Sequence, residues 1–161
     1  MSSHSDQIRS ARPDDVPELV RLRAVMFDAM GVPEEGPAWR EICAERLRAG
    51  LAAGTVVGAV LDAPGGPGLA SCVLAELHDR LPSPDDPDAR HAYVLNVCTD
   101  PKWRRRGCAR SVVSRLIDDL RALGATRIGL HATDDGLPLY ESLGFRRRSV
   151  PELRWHEEAV E

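Results

Sequence analysis

The chain has 161 residues, 43% of them apolar and 29% charged, with a formal net charge of -4. One hydrophobic core fits this length and two do not, so a single domain spanning 1–161 is expected. The acidic balance and a pI near 5.7 argue against a general nucleic-acid binder or a protein lying on anionic membranes, since each needs a broad basic face.

The opening MSSHSDQIRS lacks an apolar leader core, and no run approaches the ~18 apolar residues of a membrane span. Cys43, Cys72, Cys98 and Cys108 form no CxxC pair, which reads as reduced thiols in a cytoplasmic protein. Histidines at 4, 78, 91, 131 and 156 make neither HxH nor HExxH, so no metal site is expected. Of the 21 cationic residues only Lys102 is a lysine, a compositional bias that weakens any argument from arginine content alone.

In chain order, residues 7–12 read as a short first strand with Ile8 inward. A helix follows over PDDVPELVRLRAVMFDAM, with Asp14 or Asp15 as cap and Val16, Leu19, Val20, Arg23 and Met26/Phe27 at helical spacing. A second helix is predicted from Pro37 to Arg48, with Trp39, Ile42, Cys43 and Leu47 on one side and Gly50 ending it. GTVVGAVLD and GLASCVLAEL, parted by APGGPG, read as an antiparallel hairpin. Residues 79–90, rich in proline and aspartate, read as a mobile surface loop able to close over a ligand. HAYVLNVCT is apolar almost throughout, which predicts a central strand buried on both faces.

From Gly107 to Leu123 apolar residues recur at three and four, the pattern of an amphipathic helix, and TRIGLHA supplies the next strand. Strand, helix and strand form a crossover that sets the two strands parallel. DGLPLYESLGF reads as a short helix ending at Gly144, and FRRRSVPELRW as a last, exposed strand whose Arg146 to Arg148 lie at an edge or a homodimer surface. The fold class is α+β: a mixed sheet, helices on both faces, and a β-α-β crossover in the second half.

NVCTDPKWRRRGCARSV crowds Lys102, Arg104, Arg105, Arg106 and Arg110 around Gly107, where a helix begins. The first N–H groups of a helix lack intrahelical acceptors, and the aligned peptide dipoles add about half a positive charge there. Gly107 omits the Cβ that would hold an anion away, and Ala109 keeps the next turn thin. Such an arrangement receives a phosphate or pyrophosphate. It has neither the GK[ST] of a Walker loop nor GxGxxG.

The hexad Arg104-Arg105-Arg106-Gly107-Cys108-Ala109 fits the [Q/R]xxGx[G/A] signature of the GCN5-related N-acetyltransferase (GNAT) family. LHATDDGLPLYESLGF resembles that family's fifth strand and following helix with its LYExxGF ending, and IRSARPDDVPELVRLR its first strand and helix. The resemblance implies a mostly antiparallel twisted sheet whose fourth and fifth strands splay apart. It also implies an acyl donor, acetyl-CoA by default, with its pyrophosphate on the backbone amides of Arg105, Arg106, Gly107, Cys108, Ala109 and Arg110. The pantetheine arm would run beside Val97, Cys98 and Thr99, using peptide groups the splay leaves unpaired. Asn96 would hold that opening or line the acceptor side.

Acetyl transfer needs a neutral amine, a stabilised oxyanion and a proton for the departing thiolate. By the same resemblance Tyr140 supplies that proton, and the N–H of Val97 or Cys98 the oxyanion contact. The glutamate many family members carry on the fourth strand is missing from YVLNV. Glu76, His78, His91 and Asp100 are the candidates for the base, with Glu76 first; His131 reads as structural or as an acceptor-side contact. A covalent route through Cys98 needs an activating group that no spacing identifies. The first two helices, the 79–90 loop and the last strand are expected to shape a pocket for an amine, a small metabolite's or a peptide's. The alternatives are a non-enzymatic acyl-CoA-binding module of the same fold and a nucleic-acid module built on RRRGCAR.

Overall fold

The computed structural model of the chain describes residues 7–157; His4 and most of the opening stretch lie outside them. The described residues fall into two compact units, one running through His131 and one beginning at Ala132.

The first unit is a five-stranded sheet in the order β1-β2-β3-β4-β5. Its strands are β1 (Ile8–Ser10), β2 (Val56–Asp62), β3 (Leu69–Asp79), β4 (Arg90–Thr99) and β5 (Arg127–Leu130). The first four pair antiparallel, and β5 joins β4 in parallel through the crossover helix. Helices α1 (Val16–Ala29) and α2 (Ala38–Ala53) precede β2, and α3 (Cys108–Ala122) links β4 to β5.

Helical spacing turns Val16, Leu19, Val20 and Leu22 of α1 and Leu47 of α2 onto one sheet face, where they bury Val60, Cys72, Leu74 and Cys98. Helix α3 packs against β1 to β4, and its Val112, Val113, Leu116 and Leu120 are fully buried. Alternation along each strand gives the sheet its two apolar faces.

Helix α2 runs past its predicted end. Gly50 is buried within it, and a Cβ there would lie 2.4 Å from Val56 Cγ2, so this glycine serves the close approach of α2 to β2. Gly54, with φ +76°, terminates the helix instead. The predicted face shifts too: Ile42 is exposed, while Cys43, Ala44 and Leu51 pack on the core beside Leu47. Trp39 meets Phe27 of α1 edge-on at 5.8 Å.

The 79–90 segment is tied down rather than mobile. Arg80 N–H donates to the Ala89 carbonyl at 2.8 Å, and Ser83 bridges Asp86. Asp86 is buried, accepts the Ala89 N–H and pairs with His91 Nε2 at 2.6 Å and Arg127 Nε at 3.2 Å. One buried carboxylate thus gathers the loop onto β4 and β5.

β4 is central, as its composition suggests, but its burial alternates: Ala92, Val94, Asn96 and Cys98 are buried, Tyr93, Leu95 and Val97 half-buried. Leu74 faces Asn96 and Ala75 faces Val94, so Leu95 is an extra residue, a β-bulge. The bulge shifts the alternation, and Tyr93 and Asn96 share the face of Cys72, Leu74 and α1.

The second unit contains α4 (Leu137–Ser142), with Gly144 at φ +95° behind it. The predicted last strand is absent among the described residues: 146–157 has no strand pairing and is exposed throughout. Three successive arginines and Pro151 give that stretch neither an apolar face to bury nor a full set of N–H donors for a ladder.

Candidate active site

The β4–β5 ladder runs from His91–Arg127 to Val94–Leu130 and stops there, while β4 continues to Thr99 against β3. Leu95 through Thr99 therefore have no β5 rung, and the sheet is forked at this point. Val97, Cys98 and Thr99 lie along the open limb. Thr99 is partly committed, since its carbonyl accepts Arg104 Nε at 3.3 Å and its hydroxyl meets Ser71 Oγ at 2.9 Å.

Beyond Thr99 the chain turns sharply. Asp100 accepts the Lys102 N–H, closing a 3₁₀ turn over Pro101–Trp103. Arg105 takes φ +63° and Gly107 φ +76°, left-handed conformations on either side of Arg106. Alternating backbone of this kind turns successive N–H groups toward one concavity, an anion nest. Gly107 is the N-cap of α3, no side chain caps that turn, and a Cβ on it would meet nothing within 4 Å. Behind it Cys108 is buried, with its Sγ 3.4 Å from the Trp103 carbonyl, and Ala109 is half-buried.

The arginines divide by role. Arg104 reaches back to β4, and Arg106 lies over the Trp103 ring at 5.0 Å. Arg105 and Arg110 are exposed at the same turn. The basic cluster thus braces the turn as well as charging it.

The four base candidates separate. Asp100 is held by Lys102 N–H and Arg21, which keep its carboxyl below the usual range. His91 pairs with Asp86, and His78 packs against His91 with rings 6.5 Å apart. Glu76 is exposed, stands opposite Tyr93 in the β3–β4 register, and among the described residues makes no ion pair.

Burial pushes the Cys98 thiol up to about 11, against the pull of Arg104 and Arg21. Cys72 is raised further by complete burial. Neither sulfur is a ready nucleophile. Asn96, almost fully buried, accepts Arg23 Nη1 at 3.2 Å and donates to Cys72 Sγ at 3.4 Å, so it ties α1 to the fork.

Tyr140 belongs to the second unit, in α4, edge-on to Phe145 at 6.0 Å, and burial raises its hydroxyl above the ordinary value. Tyr93, which no motif singles out, hydrogen-bonds His131 across the β4–β5 rungs. Its signal was a polar aromatic in an otherwise aliphatic strand.

A forked mixed sheet with an uncapped helix N-terminus beside the open limb is the fold of acyl-CoA transferases, and solved structures share it. A predicted acetyltransferase from Clostridium acetobutylicum with acetyl-CoA superposes with a TM-score of 0.80 at 22% identity, covering 91% of this chain and 94% of that one. A GCN5-related N-acetyltransferase from Ralstonia eutropha does so with 0.76 at 24% identity, covering 92% and 97%. The Acetyltransferase (GNAT) family matches residues 18–145, and the chain belongs to that family. The [ribosomal protein bS18]-alanine N-acetyltransferase of Salmonella typhimurium is 35% identical over 77 residues, 43% of this chain and 52% of the relative. The chain spans about half the length of the curated relatives it matches.

Proposed function

We propose that the protein is an acetyl-CoA-dependent N-acetyltransferase that passes the acetyl group directly to a primary amine, a small metabolite's or a peptide's, in a ternary complex. The observation that carries this reading is the juxtaposition of the β4 limb that lacks a β5 partner, Leu95 to Thr99, with the uncapped start of α3 at Gly107. An extended amide-bearing arm finds partners on the first, and its pyrophosphate on the second. The family match runs across both units, which supports one functional domain.

In this reading the N–H groups around Arg105 to Arg110 hold the phosphates, and Arg104, Arg105, Arg106 and Arg110 add charge at their rim. Val97, Cys98 and Thr99 receive the pantetheine arm, and a Val97 or Cys98 N–H meets the oxyanion. Tyr140, kept protonated by burial, gives a proton to the leaving thiolate. Glu76, exposed and opposite Tyr93, stands first among the single residues that could take the acceptor's proton. The high thiol value at Cys98 supports direct transfer over an acyl-cysteine. Four free cysteines fit a cytoplasmic setting.

The test is thiol release from acetyl-CoA with a panel of amines that includes an alanine-ended peptide and glucosamine 6-phosphate, the acceptors named by two relatives. Turnover with at least one amine is expected. Acetyl-CoA binding with no turnover on the whole panel makes the protein a binding module instead.

A further inference from the structure

The proposed transfer requires an ammonium group to shed a proton before its nitrogen can attack. β4 carries no carboxylate, Asp100 is held in an ion pair with Arg21, and His91 Nε2 is hydrogen-bonded to Asp86. One pair of titratable side chains at the fork has no part in the scheme so far. Tyr93 Oη and His131 Nδ1 are hydrogen-bonded, with ring centroids 5.5 Å apart and planes tilted by 58°.

The sheet sets this pair in place. Tyr93 stands opposite Gly129, and the last rung joins Val94 to Leu130, so His131 is the first residue past the rung, at the mouth of the fork. It follows Gly129 by two positions, and extended backbone returns its side chain to the face of Tyr93. Gly129 has no side chain to part them. Across β4, Glu76 is the register partner of Tyr93. The Leu95 bulge brings Asn96, and with it Arg23 of α1, onto the same face. His131 is exposed and Tyr93 half-buried, so the pair meets solvent at the fork and not the core.

The geometry points to Tyr93 and His131 as the proton-accepting relay of the acetyl transfer, an assignment that rests on the acetyltransferase reading above. Tyr93 is the catalytic residue, and His131 is the partner that takes its proton. With the neutral imidazole protonated at Nε2, the Tyr93 O–H donates to Nδ1. As the acceptor ammonium gives a proton to the Tyr93 oxygen, the phenol's own proton passes to Nδ1. The products are a neutral amine, a neutral phenol and an imidazolium. The amine's lone pair then forms the C–N bond to the thioester carbonyl carbon, the C–S bond breaks, and sulfur leaves with the electron pair. The second proton lost by nitrogen balances the one taken up by the thiolate, and the imidazolium returns the first to water. No phenolate forms, which suits a group acting at neutral pH.

The experiment compares wild type, Tyr93→Phe, His131→Gly and the double variant over a range of pH, using an amine that the wild type acetylates. Each single variant is expected to lower kcat/KM for the amine by roughly 100-fold or more, with acetyl-CoA affinity unchanged. The double variant should be no slower than the worse single one, because both remove one relay. Beyond the limb that the acceptor amine's own ionisation gives every variant, the wild-type profile should carry one that both single variants lack. Glu76, His78, His91 and Arg23, which face the pair from β3, β4 and α1, remain in every variant, so a limb of theirs would persist. Added imidazole should restore turnover to His131→Gly beyond the reaction without protein. Should that variant fail to fold, Tyr93→Phe, which removes one oxygen atom, decides alone through the same profile. A Tyr93→Phe enzyme at wild-type rate, or an unchanged pH limb, overturns the relay and leaves the acetyltransferase reading standing. A wild type inactive on every amine removes both.

Discussion

Arg21 Nη1 lies 2.8 Å from Asp100 Oδ2, joining α1 to the turn that precedes the hexad across 79 positions of chain. The same guanidinium is held by Glu18 and donates to the Leu69 carbonyl, while Glu18 accepts the Leu69 N–H. Asp100 also caps the turn through Lys102 N–H. The turn before α3 is thereby fastened to the first helix and to the start of β3.

Replacing Asp100 by alanine should loosen that fastening. The lost cap and the part-exposed ion pair together are worth about 1–2 kcal/mol. For a chain of this size that is a melting-temperature drop of about 2–8 °C, with weaker acetyl-CoA binding. Calorimetry and titration check the two. An affinity equal to wild type would show that the turn holds its shape without the pair.

Acid should weaken the fold through the same groups. Lys102 N–H and Arg21 depress Asp100, and Arg21 depresses Glu18. Burial pushes Asp15 up, but Arg9 and the Arg12 N–H outweigh it and leave it depressed. A carboxyl depressed in the folded state adds stability that is complete above its unfolded value and is lost as pH falls through the folded one. Urea midpoints should hold from neutrality down to about pH 5 and then decline, most steeply below about pH 4. Asp100→Ala should flatten the decline.

At Gly107 the backbone is left-handed and the space beyond it is open. Asparagine tolerates that conformation, so Gly107→Asn should cost little stability while its side chain obstructs the cradle. Valine adds a strain of about 1–2 kcal/mol. Both should weaken acetyl-CoA binding at least tenfold. Unchanged affinity in Gly107→Asn would remove the phosphate from this turn.

Tyr140→Phe should lower kcat and leave acetyl-CoA affinity as it was, the pattern of a group engaged only as the thiolate departs. A loss confined to affinity would make Tyr140 a packing residue.

Gly50→Ala should destabilise by about 1–3 kcal/mol, because the added carbon would fall on Val56 and the helix would have to lift from β2. Thermal melting reads this directly. Read along the chain, the same glycine suggests a helix end; its role comes from a strand that follows it.

Up to α4, the period of each segment gives the element type, the crossover and the parallel β4–β5 pair, because helix and strand periodicities are local properties of a chain that buries one face. The hexad was legible for the same reason: a helix start, a glycine without Cβ and a concentration of charge are contained in six neighbouring residues. What local pattern could not carry was partnership. Asp86 turns an apparently mobile loop into a fastened one through His91 and Arg127, and the arginine-rich tail that read as a strand has no strand to pair with. The Leu95 bulge and the end of the ladder at Val94 decide which side chains share the fork. Register is a relation between distant segments, set by how whole strands fill the space between the helices, so Tyr93 and His131 meet only once the sheet has formed.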